Sequence, residues 1–238
     1  MHAVASGVTR RVTHRVTHLG ADLLDVVAPR DCLACQAPGR TLCDRCTAVL
    51  VGSQPVVDHD RLDHPVAIGG WLDGVVGVAM RGYKSGAGRG LADPLSILLA
   101  EAIAQLQPPP RHIVAIPPSL RARWDRGDDV LGRVVDRALT RLSRSGVRID
   151  RVPLLQPARP VRDQRSLDSQ GRRLNVIGSL RVRRGRTPTD ARIVIVDDVL
   201  TTGATVNEAI RALTQAGMGS AIVGAAVIAA TQPRQGPW

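Results

Sequence analysis

Residues 193–209 read IVIVDDVLTTGATVNEA, and their types pull in two chemical directions. Asp197 and Asp198 form a carboxylate pair that repels phosphate. Thr201-Thr202-Gly203-Ala204-Thr205 is a hydroxyl- and glycine-rich turn opening a helix, where backbone N–H groups and the helix dipole attract phosphate. Parallel sheets bind ligands at the C-terminal ends of their strands, which is where an apolar IVIV run would deliver the two acids. A ligand that suits both halves carries vicinal hydroxyls at one end and a phosphate at the other, as a ribose 5-phosphate does. An ordinary acidic helix cap would not require the Thr-x-Gly-x-Thr spacing.

A second cluster holds all four cysteines, Cys32, Cys35, Cys43 and Cys46, in the spacing C-x2-C-x7-C-x2-C. Each Cys-x-x-Cys aims two thiolates at one point, and two such knuckles complete a tetrahedral zinc site. Gly39 allows the chain to reverse between them. Disulfides are the rival, but nothing in the chain points to an oxidising compartment. Four thiolates fill the coordination sphere, so the expected zinc is structural. Two other phosphate loops are excluded. A P-loop needs Gly-Lys-Ser/Thr, whereas the single lysine, Lys84, follows Tyr83; GAGRG at 86–90 lacks the third glycine of a dinucleotide fingerprint.

The elements that must position these residues are written in a 238-residue chain that is 44% apolar and 22% charged, enough for a real core. With 2% aromatics and no Phe, that core must be Val, Leu, Ile and Ala. The net charge of +11 invites a nucleic-acid reading, yet Lys84 is the only lysine among 32 basic residues, a skew better explained by compositional bias. No apolar run reaches the ~18 residues of a membrane span, and the N-terminal twenty residues lack a signal-like apolar region, so a soluble, cytoplasmic chain is expected. The tandem RVTHRVTH places His14 and His18 four apart in a polar extension, where solvated histidines are expected.

Residues 91–106 read as a helix with Asp93 as N-cap and Pro94 at its first position, stopped by three prolines at 108–110. HIVAI (112–116) is a strand feeding Pro117 and Pro118; Val130 to Leu142 keeps helical spacing up to a stop at Gly146; VPLLQ (152–156) is a further strand. A long polar loop follows. IVIVD (193–197), a helix presenting Val206, Ala209, Ile210 and Leu213 and stopped at Gly217, and AIVGAAVIA (221–229) complete the pattern. Strands alternating with helices, with continuous apolar runs, predict a parallel sheet. Residues 66–80 offer a hairpin signal at their Asp-Gly, while Val75, Val76, Ala79 and Tyr83 also fit a helix face.

IVIVDDVLTTGAT resembles the phosphoribosyl pyrophosphate signature of type I phosphoribosyltransferases. The chain further resembles the competence-associated ComF branch of that family through LLDVVAPRDCLAC, GYKSGAGRGLA, IPPSLRARWDRG and the spaced Gln164, Leu167, Arg172 and Asn175. The resemblance implies that Asp197 and Asp198 bind the ribose hydroxyls, with Mg²⁺ on the pyrophosphate, and that Thr201, Thr202, Gly203, Ala204 and Thr205 hold the 5′-phosphate. It implies that the Pro117-Pro118-Ser119 turn receives pyrophosphate, with Arg121 or Lys84 as charge partner. Residues 157–173 would be a mobile flap and 74–83 a helix. Three departures stand out: Arg126-Gly127-Asp128-Asp129-Val130 replaces the usual Arg-Gly-Phe-Asn-Gln, no further cysteine pairs follow, and Thr201 stands where some purine-specific enzymes carry a general-base Asp.

The expected architecture is an N-terminal extension and zinc knuckle over 1–62, followed by a type I phosphoribosyltransferase α/β domain over 63–238. The expected activity is transfer of a phosphoribosyl group from 5-phosphoribosyl 1-pyrophosphate, with Mg²⁺, to an acceptor that the sequence does not describe, in a setting of DNA uptake or repair. The rivals are a non-catalytic protein of the same fold that binds single-stranded DNA or a competence or recombination partner, and a sensor of the sugar pyrophosphate. Scarce aromatics argue against the first, since unspecific single-strand binders stack bases on rings. The expected partner is the small-molecule donor, with single-stranded DNA or DNA-uptake and repair proteins, and a second copy of the chain, as further candidates.

Overall fold

Continuous apolar runs such as Ile193–Val196 and Ala225–Ala230 leave no polar face to turn toward water, so these strands must be covered on both sides. A computed structural model describes residues 31–86, 88–118, 129–158, 176–183 and 191–233. His14, His18, Ser119, Arg121, residues 126–128, Asn175 and most of the expected flap, including Gln164, Leu167 and Arg172, lie outside the described residues. In chain order the described elements are α1 (Asp44–Val51), β1 (Val56–Asp58), β2 (Val66–Ile68), α2 (Gly74–Lys84), α3 (Ala92–Ala104), β3 (His112–Ala115), α4 (Val130–Arg144), β4 (Asp150–Arg151), β5 (Leu155–Pro157), β6 (Leu180–Val182), β7 (Ile193–Leu200), α5 (Ala204–Gln215) and β8 (Ile222–Ala230).

Six strands form one sheet in the order β1-β2-β8-β7-β3-β4, parallel except for the β1–β2 pair, while β5 and β6 make a separate antiparallel ribbon. β7 sits at its centre, with Ile195 opposite Val114 on one side and Ala225 on the other. Alternation divides its apolar run between two cores. Val194 and Val196 pack with Leu95, Leu99, Val134 and Ala138 of α3 and α4; Ile193 and Ile195 pack with Val206, Ala209 and Leu213 of α5. Cys32, Leu42, Cys46 and Leu50 belong to the first of these cores, so the cysteine segment shares packing with α2 and α3. No helix among the described residues is long and apolar enough to cross a membrane.

Of the two alternatives for residues 66–80 the structure has the helix, α2 over Gly74–Lys84, after β2 ends at Ile68. It corrects three other element readings. The helix read from 91 starts at Ala92, after a 3-10 turn over Arg89–Leu91, and ends at Ala104. Asp93 does not cap it; its carboxylate instead receives Arg141 of α4 at 2.7 Å. VPLLQ is not one strand. Pro153 interrupts it, and the chain leaves the main sheet after Arg151 to pair Leu155–Pro157 with β6. β7 runs to Leu200 rather than stopping at Asp197, because β8 stays paired with it as far as Ala230.

One buried carboxylate ties the ribbon to the sheet's helical layer. Glu208 of α5, 3% exposed, accepts the Leu180 N–H at 2.9 Å and two bonds from Arg211, at 2.6 and 2.7 Å. Arg211 in turn donates to the Leu180 carbonyl at 3.0 Å. Burial opposes ionisation of Glu208, but Arg211 and the backbone N–H groups outweigh it and lower its pKa. Its stabilising contribution is therefore present above the ordinary carboxyl range and lost as pH falls through the depressed value. Glu208→Ala should strand both partners and cost about 2–4 kcal/mol, roughly 5–12 °C in Tm. A thermal melt unchanged to within a degree or two would show that the ribbon is held by apolar packing alone.

Candidate functional site

The acidic pair lies within a paired strand, not after one. Asp197 is opposite Val227 and Leu200 opposite Ala230, and Ile116 on the other flank donates its N–H to the Val196 carbonyl at 2.9 Å. Strand alternation sends the two carboxylates to opposite faces. Asp197 joins the face covered by α5, and Asp198 meets Lys84 from the C-terminal end of α2, Nζ to Oδ2 2.8 Å. The Asp198 N–H donates to Asp197 Oδ1 at 2.8 Å. Burial pushes up the Asp197 pKa most strongly, and the Asp198 charge adds to it. Against the opposing pull of the Asp198 N–H and of Lys84, the result is about 7 instead of 3.8.

The turn after β7 is forced into shape by one residue. Gly203 has φ +75°, a left-handed conformation that side-chain-bearing residues rarely adopt, and it precedes the first residue of α5. A Cβ there would also lie 2.5 Å from Leu62 Cδ2, a buried side chain of the β1–β2 connection. The Gly203 carbonyl accepts the first helical bond, from Asn207 N–H at 2.9 Å, and Thr202 Oγ1 sits 3.4 Å from the Ala204 N–H. The first N–H groups of any α-helix have no intrahelical acceptor. Asp197 lines the same depression as Thr201, Thr202, Gly203, Ala204, Thr205 and Val206, around a cup of ≈ 60 Å³. A carboxylate and a helix N-terminus thus share one small concavity.

A larger cavity, ≈ 380 Å³, opens where β3 and β4 end, lined by Ile116, Pro117, Pro118, Asp129, Arg151 and Arg183 among others. Pro118 is thereby placed one strand from Asp197, whereas Lys84 is brought to Asp198 itself. Asp129, part of the segment that departs from the family pattern, caps α4 by accepting the Gly132 N–H at 2.8 Å and pairs with Arg151 at 3.0 Å. Sequence reasoning passed over Leu62, Arg151 and Arg183. For Arg151 the signal would have been an arginine at the end of a β-strand on the ligand-binding edge; Leu62 gives none, since its role depends on a tertiary contact.

The four cysteine sulfurs lie within 4.8 Å of one another, and all four are free thiols. Around a tetrahedral ion with ~2.3 Å bonds, sulfurs stand about 3.8 Å apart, and Cys35 and Cys43 are already 3.6 Å apart. The group is positioned to bind one metal ion. Burial opposes the Cys32 thiolate, yet N–H donors from Cys43, Cys35 and Ala34 overcome it and lower its pKa to about 6. Cys46, by burial and by its thiol neighbours, is pushed up to about 12. Gln36 at φ +62° and Gly39 at φ +115° reverse the chain between the knuckles.

Residues 154–238 match the family model described as the phosphoribosyl transferase domain. The fold is the type I phosphoribosyltransferase fold, with a four-cysteine module beside it. The matched span contains β5 to β8, the acidic pair and the cup. No curated protein matches the chain. Among solved structures, the chain is similar to an adenine phosphoribosyltransferase from Leishmania tarentolae at 17% identity and a TM-score of 0.30. That likeness covers 60% of this chain and 56% of the other.

Two outcomes follow from the site's chemistry. Metal analysis of the purified chain should return one zinc per chain, and Cys43→Ser should lower both zinc content and the stability of the N-terminal region, since metal binding is coupled to folding. A metal-free native protein contradicts this. For Asp197, the folded chain holds a proton that the unfolded chain releases near 3.8, so stability should fall as pH rises from there to about 7 and then level off. Asp197→Asn removes that slope. Its stability advantage over wild type in urea should therefore grow between about pH 4 and pH 7, and an advantage independent of pH would refute the assignment.

Proposed function

We propose that the protein binds 5-phosphoribosyl 1-pyrophosphate and transfers its phosphoribosyl group to a nucleophilic acceptor. The observation that carries this reading is the shared concavity: Asp197 and the Thr201–Thr205 turn line one cup. Asp197 and Asp198 accept hydrogen bonds from the ribose 2′- and 3′-hydroxyls, and the N–H groups and threonine hydroxyls of the turn hold the 5′-phosphate. The turn at Pro117-Pro118-Ser119 takes the pyrophosphate, with Lys84 and Arg121 as its charge partners. In the reaction the bond from C1 to the pyrophosphate oxygen breaks, and its electron pair leaves with pyrophosphate. The acceptor's lone pair forms the new bond to C1 and the acceptor loses a proton. Fixed carboxylates near the cationic sugar centre, and cations near the leaving group, supply electrostatic stabilisation where charge develops. Bound on the pyrophosphate, Mg²⁺ supplies further neutralisation of the leaving charge.

The motif resemblance supports reading this activity as ComF-type, linked to DNA uptake or repair. In that reading residues 1–62 carry a structural zinc knuckle and residues 63–238 the catalytic domain. Gly203→Val should abolish binding of ribose 5-phosphate and of the sugar pyrophosphate alike, because the left-handed turn disfavours a branched side chain and its Cβ would also displace Leu62. Asp198→Asn should weaken ribose 5-phosphate by about 10- to 150-fold, the loss of one charge-assisted hydrogen bond, and leave inorganic phosphate unchanged. Calorimetric titration of both ligands reads this directly. Equal weakening of the two would reduce the site to a generic anion-binding turn.

A further inference from the structure

Lys84 is the single lysine in a chain with 32 basic residues, and its ammonium sits 2.8 Å from Asp198 Oδ2. In so arginine-rich a chain, the one ammonium is found on the acidic pair. The two cations are not equivalent there. A guanidinium presents a planar fork that grips both oxygens of a carboxylate, whereas an ammonium is a point charge on a flexible stem. The stem has a fixed root: Tyr83, 4% exposed, donates its hydroxyl to the Val130 carbonyl at 2.8 Å, anchoring the end of α2 to the start of α4. Its tip is less constrained. Lys84 ends the helix, and the Lys84 and Asp198 side chains are 36% and 33% exposed, the setting of a weak pair. Asp198 thus has two claimants: the ammonium that is there, and the sugar hydroxyls that the reading above assigns to it.

We propose that Lys84 is a placeholder for the sugar, occupying Asp198 until a ribose hydroxyl displaces it, and that the displaced ammonium then pairs with a second anionic group of the ligand. This inference rests on the ribose reading of the acidic pair. It makes Lys84 a specificity-determining residue. A phosphate carrying a diol alone must displace the ammonium and gives it no new partner. A phosphate carrying a diol and a further anionic group exchanges one ion pair for another. The site therefore favours sugar phosphates with two separated anionic ends over simple ones by more than their direct contacts with the cup. An arginine at the same position would hold Asp198 too firmly for either class.

The test is a titration of ribose 5-phosphate without metal, and of 5-phosphoribosyl 1-pyrophosphate with Mg²⁺, into wild type, Lys84→Met and Lys84→Arg. Thermal melts establish that each variant is folded. Lys84→Met should move the two affinities in opposite directions. Ribose 5-phosphate should bind about two- to fivefold more tightly, since an exposed ion pair no longer competes. The sugar pyrophosphate should bind about tenfold or more weakly, having lost a charge-assisted contact. Lys84→Arg should weaken both. If Lys84→Met weakens both ligands, or leaves ribose 5-phosphate unchanged while Asp198→Asn still weakens it, the placeholder idea falls and the ribose reading stands. If Asp198→Asn has no effect on ribose 5-phosphate, both fall together.

Discussion

The pairing of β7 between β3 and β8, with apolar cover on both faces, is the constraint from which the site follows. Its hydrogen-bond ladder is occupied on both edges as far as Val196 and on the β8 edge beyond it, so Asp197 and Asp198 enter the ligand edge of the sheet on a paired strand rather than on a loop. Alternation then does the rest. Two consecutive residues on a strand must face opposite ways, so the acids are delivered to different environments although they are adjacent in sequence. Asp197 faces the cup at the start of α5, and Asp198 faces the end of α2. Because β8 stays in register as far as Ala230, the strand must turn abruptly at Leu200 to start α5, and Gly203 provides the left-handed residue that makes the turn.

Charge is arranged in the opposite sense to burial. Burial, with the Asp198 charge adding to it, pushes Asp197 toward neutrality, while Asp198 pairs with Lys84. The cup next to them has the opposite preference, since the first N–H groups of a helix lack intrahelical acceptors and favour an anion. A ligand carrying hydroxyls and phosphate relieves both at once, and a plain anion relieves only one. The fold surrounding this arrangement is held by more conventional means: Glu208 and Arg211 pin the β5–β6 ribbon to α5, and Asp129 and Arg151 join α4 to the outermost parallel strand.

Much of this was legible in the sequence because its causes are local. The IVIV run could only be a doubly covered strand, the glycine of TTGAT could only mark a turn with special backbone geometry, and the C-x2-C pairs carry their ligand geometry in their spacing. The parallel sheet followed from the alternation of such runs with helices. What escaped depends on residues far apart in the chain. The Lys84–Asp198 pair and the Leu62 contact over Gly203 have no local signature. The break at Pro153 was hidden by an apolar run on both sides of it. Asp93 looked like a helix cap, but a 3-10 turn begins the helix instead and frees its carboxylate for Arg141. Asp129 in turn proved to be the true cap of α4, a role that its unusual sequence context did not disclose.

The account stands or falls on whether the acidic pair reads sugar hydroxyls. Comparing ribose 5-phosphate with 2-deoxyribose 5-phosphate on the unaltered protein tests this most directly, because the ligands share their phosphate and differ by one hydroxyl. The account predicts that the deoxy sugar binds about 10- to 150-fold more weakly, the worth of one hydrogen bond to a carboxylate. Equal affinity for the two would contradict it.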